Sequence, residues 1–189
     1  MHIYYGKMEL SRQGSGPIMQ KWLKISIISF LFIFITACAE TSIHHEGDKH
    51  VTPISELEHI DIFQQGALEH ILEGELNHKG RAVGFHYDRL PTKKGEIVAG
   101  TKTQENEFGV YEAKVIIEGV EKTSNEGYST FFPDDWDTQE VVDAINEAYE
   151  NRVFITGNTY EGLTDEGMMI RMYLNDQNKI ISAFPIYEN

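Results

Sequence analysis

Two strand-length runs close the chain, "MMIRMYL" (168–174) and "KIISAFPIY" (179–187), with only "NDQN" between them. Four residues form a tight turn and are too few for the crossover of a parallel pair, which needs a dozen or more. These runs must therefore pair antiparallel. Shorter strand-like runs precede them, "RAVGFHY" (81–87), "GEIVAGT" (95–101), "VYEAKVII" (110–117) and "RVFITGNTY" (152–160), separated by Gly, Pro and Asn. Two segments read as helices. Over 53–73, Ile60, Phe63, Ala67, Leu68, Ile71 and Leu72 fall at mixed three- and four-residue spacings, with Gly74 as a stop and His70 in the last turn. In the second, Asp137 can cap, Glu140 completes a capping box, and Val141, Ile145 and Ala148 share a face. An N-terminal helix, a mostly antiparallel sheet and a second helix make the expected class α+β.

The folded part is expected to span 53–189. From Met19, "MQKWLKISIISFLFIFITACAE" places Lys21 and Lys24 ahead of an uncharged, mostly apolar run, Ile25 to Ala37. That run is short for a membrane-spanning helix, which needs about 20 apolar residues, and suits a secretory signal. It ends in "ITAC", which resembles the lipobox of bacterial lipoproteins. Small Thr36 and Ala37 let a peptidase approach, and Cys38 would take the lipid and hold the mature protein to the membrane. Residues 1–18 do not look like a signal n-region, so Met19 is the expected start and 1–37 the leader. Residues 38–52 are polar and aperiodic, a tether. Cys38 is the only cysteine, so no disulfide framework supports the fold.

The chain's formal net charge is −14, and the leader's four basic residues against one acid leave the remainder more negative still. Such a field repels polyanions and disfavours general binding to nucleic acid or anionic membrane. A polyanion site must therefore be local. Between His78 and Lys102, Lys79, Arg81, Arg89, Lys93, Lys94 and Lys102 face only Asp88 and Glu96. This cationic stretch overlaps a run with three histidines, His70, His78 and His86. Histidine moves protons near neutral pH. Two of them flanking a phosphodiester can act as base and acid, and a lysine can stabilise charge building on the phosphoryl oxygens. No metal or other cofactor is required where the nucleophile is the 2′-hydroxyl of RNA itself.

"HILEGELNHKGRAVGFHYDR", "GVYEAKV", "EKTSNEGYSTFFPDDWDTQEVVDAINEA", "GMMIRMYLND" and "IISAFP" occur in order, and together they resemble the bacterial EndoU nuclease domain over roughly 68–187. The resemblance implies a ribonuclease A-like layout. It implies cleavage of single-stranded RNA to a 2′,3′-cyclic phosphate and a 5′-hydroxyl. It places the catalytic residues at His70, His86 and Lys122, with His86 the base and His70 the acid by analogy. The family's late Thr and Tyr, which hold ribose and base, fall at Ser182 and Phe184. Phe184 can stack but not hydrogen-bond, so uridine preference is the property the departure touches. His78 reads as an exposed turn residue, with the nearby cations as a phosphate attractor. The implied partners are RNA and, through Cys38, the membrane; an inhibitor (immunity) protein protecting the producer is left open.

Other features have plainer readings. "STFFPDDWD" is expected to cap the second helix and pack Phe131, Phe132 and Trp136 inward, with Asp134, Asp135 and Asp137 a solvated helix start. "HHEGDKH" (44–50) offers His44, His45, Asp48 and His50 to a divalent metal, although a tether tract is weak ground. Two alternatives stay open: an EndoU-fold module that binds without catalysis, and a metal-capturing surface lipoprotein.

Overall fold

The computed structural model describes residues 50–188. The leader, Cys38 and the tether residues His44, His45 and Asp48 lie outside the described residues. Among the described residues the fold is mixed α+β, with two α-helices and mostly antiparallel strands.

The C-terminal hairpin forms as its turn demands. Met169–Leu174 (β9) pairs antiparallel with Ile180–Pro185 (β10). Thr159–Leu163 (β8) and Val153–Thr156 (β7) continue the sheet in the order β10-β9-β8-β7. Along β9, Ile170, Met172 and Leu174 are buried while Arg171 and Tyr173 face the other way. In β10 the register slips between Ile180 and Ser182. This bulge lets Ile180 and Ala183 both point inward and puts Ser182 and Phe184 on the open face beside Arg171 and Tyr173.

Thr138–Glu150 (α2) covers the buried face. Its capping box forms as the sequence indicates: Asp137 accepts from the Thr138 amide at 2.7 Å, and Glu140 accepts from the Asp137 amide. The same Asp137 carboxylate takes the Thr52 amide and hydroxyl, both at 2.6 Å, tying the start of the described chain to this helix. Val141, Val142, Ile145 and Ala148 are buried against the sheet, each large side chain contributing about 1.5–3 kcal/mol of burial.

The expected helix over 53–73 is mostly something else. Only Ala67–Leu72 (α1) is α-helical, preceded by a 3₁₀ turn at Ile54–Glu56. Gly66, at φ 82, sets the start of α1. The segment between runs along the exposed edge of β10: Gln64 donates to Ile180 O at 2.8 Å, and Ile180 donates to Ile62 O at 2.8 Å. A free sheet edge offers backbone partners that local propensity cannot anticipate.

A second sheet holds Gly95–Ile97 (β3), Tyr111–Ile117 (β4) and Val120–Glu121 (β5), with Tyr128–Phe131 (β6) pairing the first half of β4. Its core is Phe85, Tyr111, Ala113, Val115, Ile117 and Phe131, with Tyr111 stacked on Phe131 at 5.0 Å and Phe85 edge-on to it at 5.2 Å. Phe132 is fully buried in the core that α2 covers and Trp136 packs against that core, as "STFFPDDWD" suggested. Asp134 is not merely solvated: it accepts from Tyr111 Oη at 2.6 Å and pairs with Lys102.

Candidate active site

The last carbonyls of a helix lack intrahelical donors. In α1 two of them are taken by the chain that returns through a small hairpin, Glu75–Leu76 (β1) with Ala82–Val83 (β2). Phe85 N–H donates to His70 O at 3.1 Å and His86 N–H to Ile71 O at 2.8 Å. The strand expected over 81–87 therefore ends at Val83. Gly84 and Phe85 turn it with φ 74 and 64, so that the amides of 85 and 86 face the helix end and not a neighbouring strand. Gly84 is needed for contact as well as conformation, since a Cβ there would stand 1.9 Å from His70 O.

His86 is fixed on three sides. Besides its amide, its carbonyl accepts from Phe132 N–H at 3.0 Å and its Nδ1 lies 2.7 Å from Thr130 O. A carbonyl can only accept, so Nδ1 carries the proton and Nε2 is left with a lone pair. Burial is the main force holding the His86 pKa well below its ordinary value, with the Lys122 and His70 charges adding to it and the Thr130 bond opposing. His86 is a neutral imidazole, only 5% exposed.

His70 has the opposite kind of partner. Its Nδ1 lies 3.0 Å from Glu75 Oε1, and its Nε2 lies 3.1 Å from Ser182 Oγ. A carboxylate can only accept, so Nδ1 carries a proton and the ring is held with Nε2 toward Ser182. The Phe184 ring stacks on His86, with centroids 5.0 Å apart and planes 20° from parallel. Lys122 Nζ donates to Ser129 Oγ at 2.7 Å, and Ser129 Oγ, 1% exposed, donates to Gly84 O at 3.2 Å. Burial lowers the Lys122 pKa to about 8.

His70, His86, Lys122, Ser182 and Phe184 all line one cleft of about 570 Å³ between the two sheets. The geometry offers a neutral imidazole nitrogen, a carboxylate-supported imidazole and a half-buried ammonium around one space. Those are the parts for proton transfer at a phosphodiester. Glu75, Gly84, Ser129 and Arg171 belong to the same site but were not singled out in the sequence, where nothing beyond the Gly of "GFH" marked them.

The cationic stretch does not line the cleft. None of its six members does so. Lys93 pairs with Asp88 at 2.9 Å, Lys102 with Asp134 and with Glu105 at 3.0 Å, and Arg89 donates to Trp136 O. The expected phosphate attractor therefore does not line the cleft, and three of its six cations, Arg89, Lys93 and Lys102, are held by other partners. His78 is exposed in a turn, as expected. Among the described residues no His, Cys, Asp and Glu group is placed to hold a metal ion.

Residues 64–187 match the family model described as Bacterial EndoU nuclease. A Bacillus cereus protein named "Toxin" is 50% identical over 132 residues, which cover 70% of this chain and 24% of that protein. The chain thus spans about a quarter of the length of the curated relative it matches. No solved structure gives a significant match.

Proposed function

The chain belongs to the bacterial EndoU nuclease family, and on that premise we propose that it is an endoribonuclease cutting single-stranded RNA by transphosphorylation. His86 Nε2 takes the proton of a 2′-hydroxyl, and the resulting oxygen attacks the adjacent phosphorus. His70 Nε2 gives its proton to the departing 5′-oxygen. The products are a 2′,3′-cyclic phosphate and a 5′-hydroxyl. Lys122 stabilises the charge that gathers on the phosphoryl oxygens. Ser182, bonded to His70, and Phe184, stacked on His86, form the wall on which ribose and base lie.

One observation carries this reading: the two imidazoles have complementary partners. Thr130 O at 2.7 Å from His86 Nδ1 leaves a basic nitrogen in the cleft, while Glu75 at 3.0 Å from His70 Nδ1 supports a proton donor. These partners support the proposed order of base and acid, for which "HIL" and "GFH" carry no signal.

We further propose that the protein is exported and anchored through a lipid on Cys38, and that it acts as a toxin whose producer is guarded by an inhibitor protein. The name of the Bacillus cereus relative supports the toxin part; the "ITAC" sequence supports the anchor. Cys38→Ser is expected to leave the precursor unprocessed and without lipid.

The deciding experiment is incubation of the protein with a labelled uridine-containing oligonucleotide, with and without chelator. Cyclic-phosphate product in both is expected, because the 2′-hydroxyl and two histidines need no metal-bound water. Binding of RNA without turnover would favour the non-catalytic module, and activity lost to chelator and restored by a divalent metal would replace the mechanism.

A further inference from the structure

An acidic protein that cuts RNA needs cations where the strand passes, and none of the six cations of 78–102 lines the cleft. Two non-histidine cations line the cleft, Lys122 and Arg171. Lys122 is taken by the reaction centre. Arg171 stands on the open face of β9 directly opposite Phe184 of β10. Phe184 itself stacks on His86. Arg171 is therefore one strand spacing, about 4.8 Å, farther along the sheet than the ring that touches the base histidine.

Its guanidinium is aimed by one neighbour. Glu161, opposite it on β8, accepts from both Nε, at 2.8 Å, and Nη2 through the single oxygen Oε1. Nη1 has no hydrogen-bond partner among the described residues. The carboxylate holds one edge of the fork and leaves the other for a second anion. Glu161 is 17% exposed and Arg171 40% exposed, so the carboxylate end of the pair is sheltered while the guanidinium stays within reach of a second anion. Paired donors on a planar cation suit the two non-bridging oxygens of a phosphodiester.

We propose that Arg171 forms a second phosphate subsite, which binds the phosphodiester next to the scissile one in single-stranded RNA. The proposal rests on the nuclease reading for the identity of the scissile phosphate. It gives the enzyme a preference for strands over isolated dinucleotides. Glu161 is a positioning residue that sets the plane of the guanidinium.

Binding and cleavage separate this inference from the nuclease reading. Binding is measured by anisotropy with non-cleavable 2′-O-methyl analogues: a dinucleoside monophosphate, the same unit extended by one nucleotide at its 5′ end, and the same unit extended at its 3′ end. In the wild type one extended analogue should bind more tightly than the dinucleoside. Arg171→Ala should reduce that preference about tenfold, the scale of one charged hydrogen-bonded contact. It should also lower the log–log salt slope by about 0.7 for that analogue. Arg171→Lys should keep the slope and lose part of the preference, because the charge remains and the fork does not. Glu161→Gln should keep the slope with a smaller loss. Thermal unfolding of each variant checks that the sheet is intact. A loss equal for all three analogues, an unchanged preference, or a wild type that prefers neither extended analogue overturns the subsite. Arg171-dependent preference in a protein that leaves RNA uncut would sink the nuclease reading and keep the subsite.

Discussion

The carbonyl oxygen of His70 occupies the space that a side chain on Gly84 would need, 1.9 Å from an ideal Cβ. Gly84 also takes φ 74, and its own carbonyl accepts from Ser129, which holds Lys122. One glycine thus joins the helix that carries His70, the segment that carries His86 and the hydroxyl that aims Lys122.

Gly84→Ala should lower stability by about 2–4 kcal/mol, from left-handed backbone strain together with the forced retreat of α1. Denaturant unfolding measures it as a reduced midpoint with an unchanged slope. A loss under 1 kcal/mol would mean that the helix end yields easily and does not fix the histidine pair.

Alanine at His70, His86 or Lys122 should each reduce kcat/KM by about 10²-fold or more. The losses should not multiply in a triple variant, since the groups act on one barrier. His78→Ala should leave the rate within about twofold of wild type, because an exposed turn residue outside the cleft touches no part of the reaction. Kinetics on a single oligonucleotide, with circular dichroism for the fold, decide this. Near-full activity in His86→Ala would remove the assigned base.

Glu75 lies on His70, the proposed acid, and not on His86, the proposed base. Glu75→Ala should slow cleavage of RNA about tenfold or more. With a nitrophenyl leaving group, which departs without a proton, Glu75→Ala and His70→Ala should both recover, and His86→Ala should not. If all three variants respond alike to the leaving group, the order of base and acid given by Thr130 and Glu75 is wrong.

The pH profile follows from two lowered pKa values. With His86 held below its ordinary range by burial, the base stays neutral into mildly acid solution, so the acid limb lies under pH 6.5. Lys122 discharges near pH 8, and activity should fall through that region. Lys122→Arg, always charged, should move the falling limb upward; a limb that stays in place assigns it to another group. Stability carries the same signs. Below pH 6.5 the unfolded chain takes a proton that folded His86 refuses, so stability falls as pH falls. Between about 8 and 10.5 the unfolded chain keeps a proton that folded Lys122 has lost, so this residue's contribution makes stability rise with pH. Unfolding measured across the range with wild type and Lys122→Met tests the second sign.

The sequence by itself determined what depends on neighbours in the chain. The capping box of Asp137 and Glu140 closes over three residues, and the turn at 175–178 pairs β9 with β10. Period-two burial along β9 follows from the pleat, and the end of α1 before Gly74 follows from that glycine's φ of 79. The α+β class is the sum of such local choices.

Only the tertiary structure decided where partners distant in the chain would meet. The edge of β10 drew Ile62 and Gln64 into backbone bonds and overrode a helical spacing of apolar residues. The helix end of α1 drew the amides of Phe85 and His86 and broke a run that reads as strand. Charge shows the same division. None of the six cations close in sequence lines the cleft, and Arg89, Lys93 and Lys102 bind acids or carbonyls elsewhere, while Lys122 and Arg171, far apart in the chain, face one cleft. The physical reason is that hydrogen bonds and charges act through space over a few ångströms, and adjacency along the chain fixes that distance only within a turn, a helix or a hairpin.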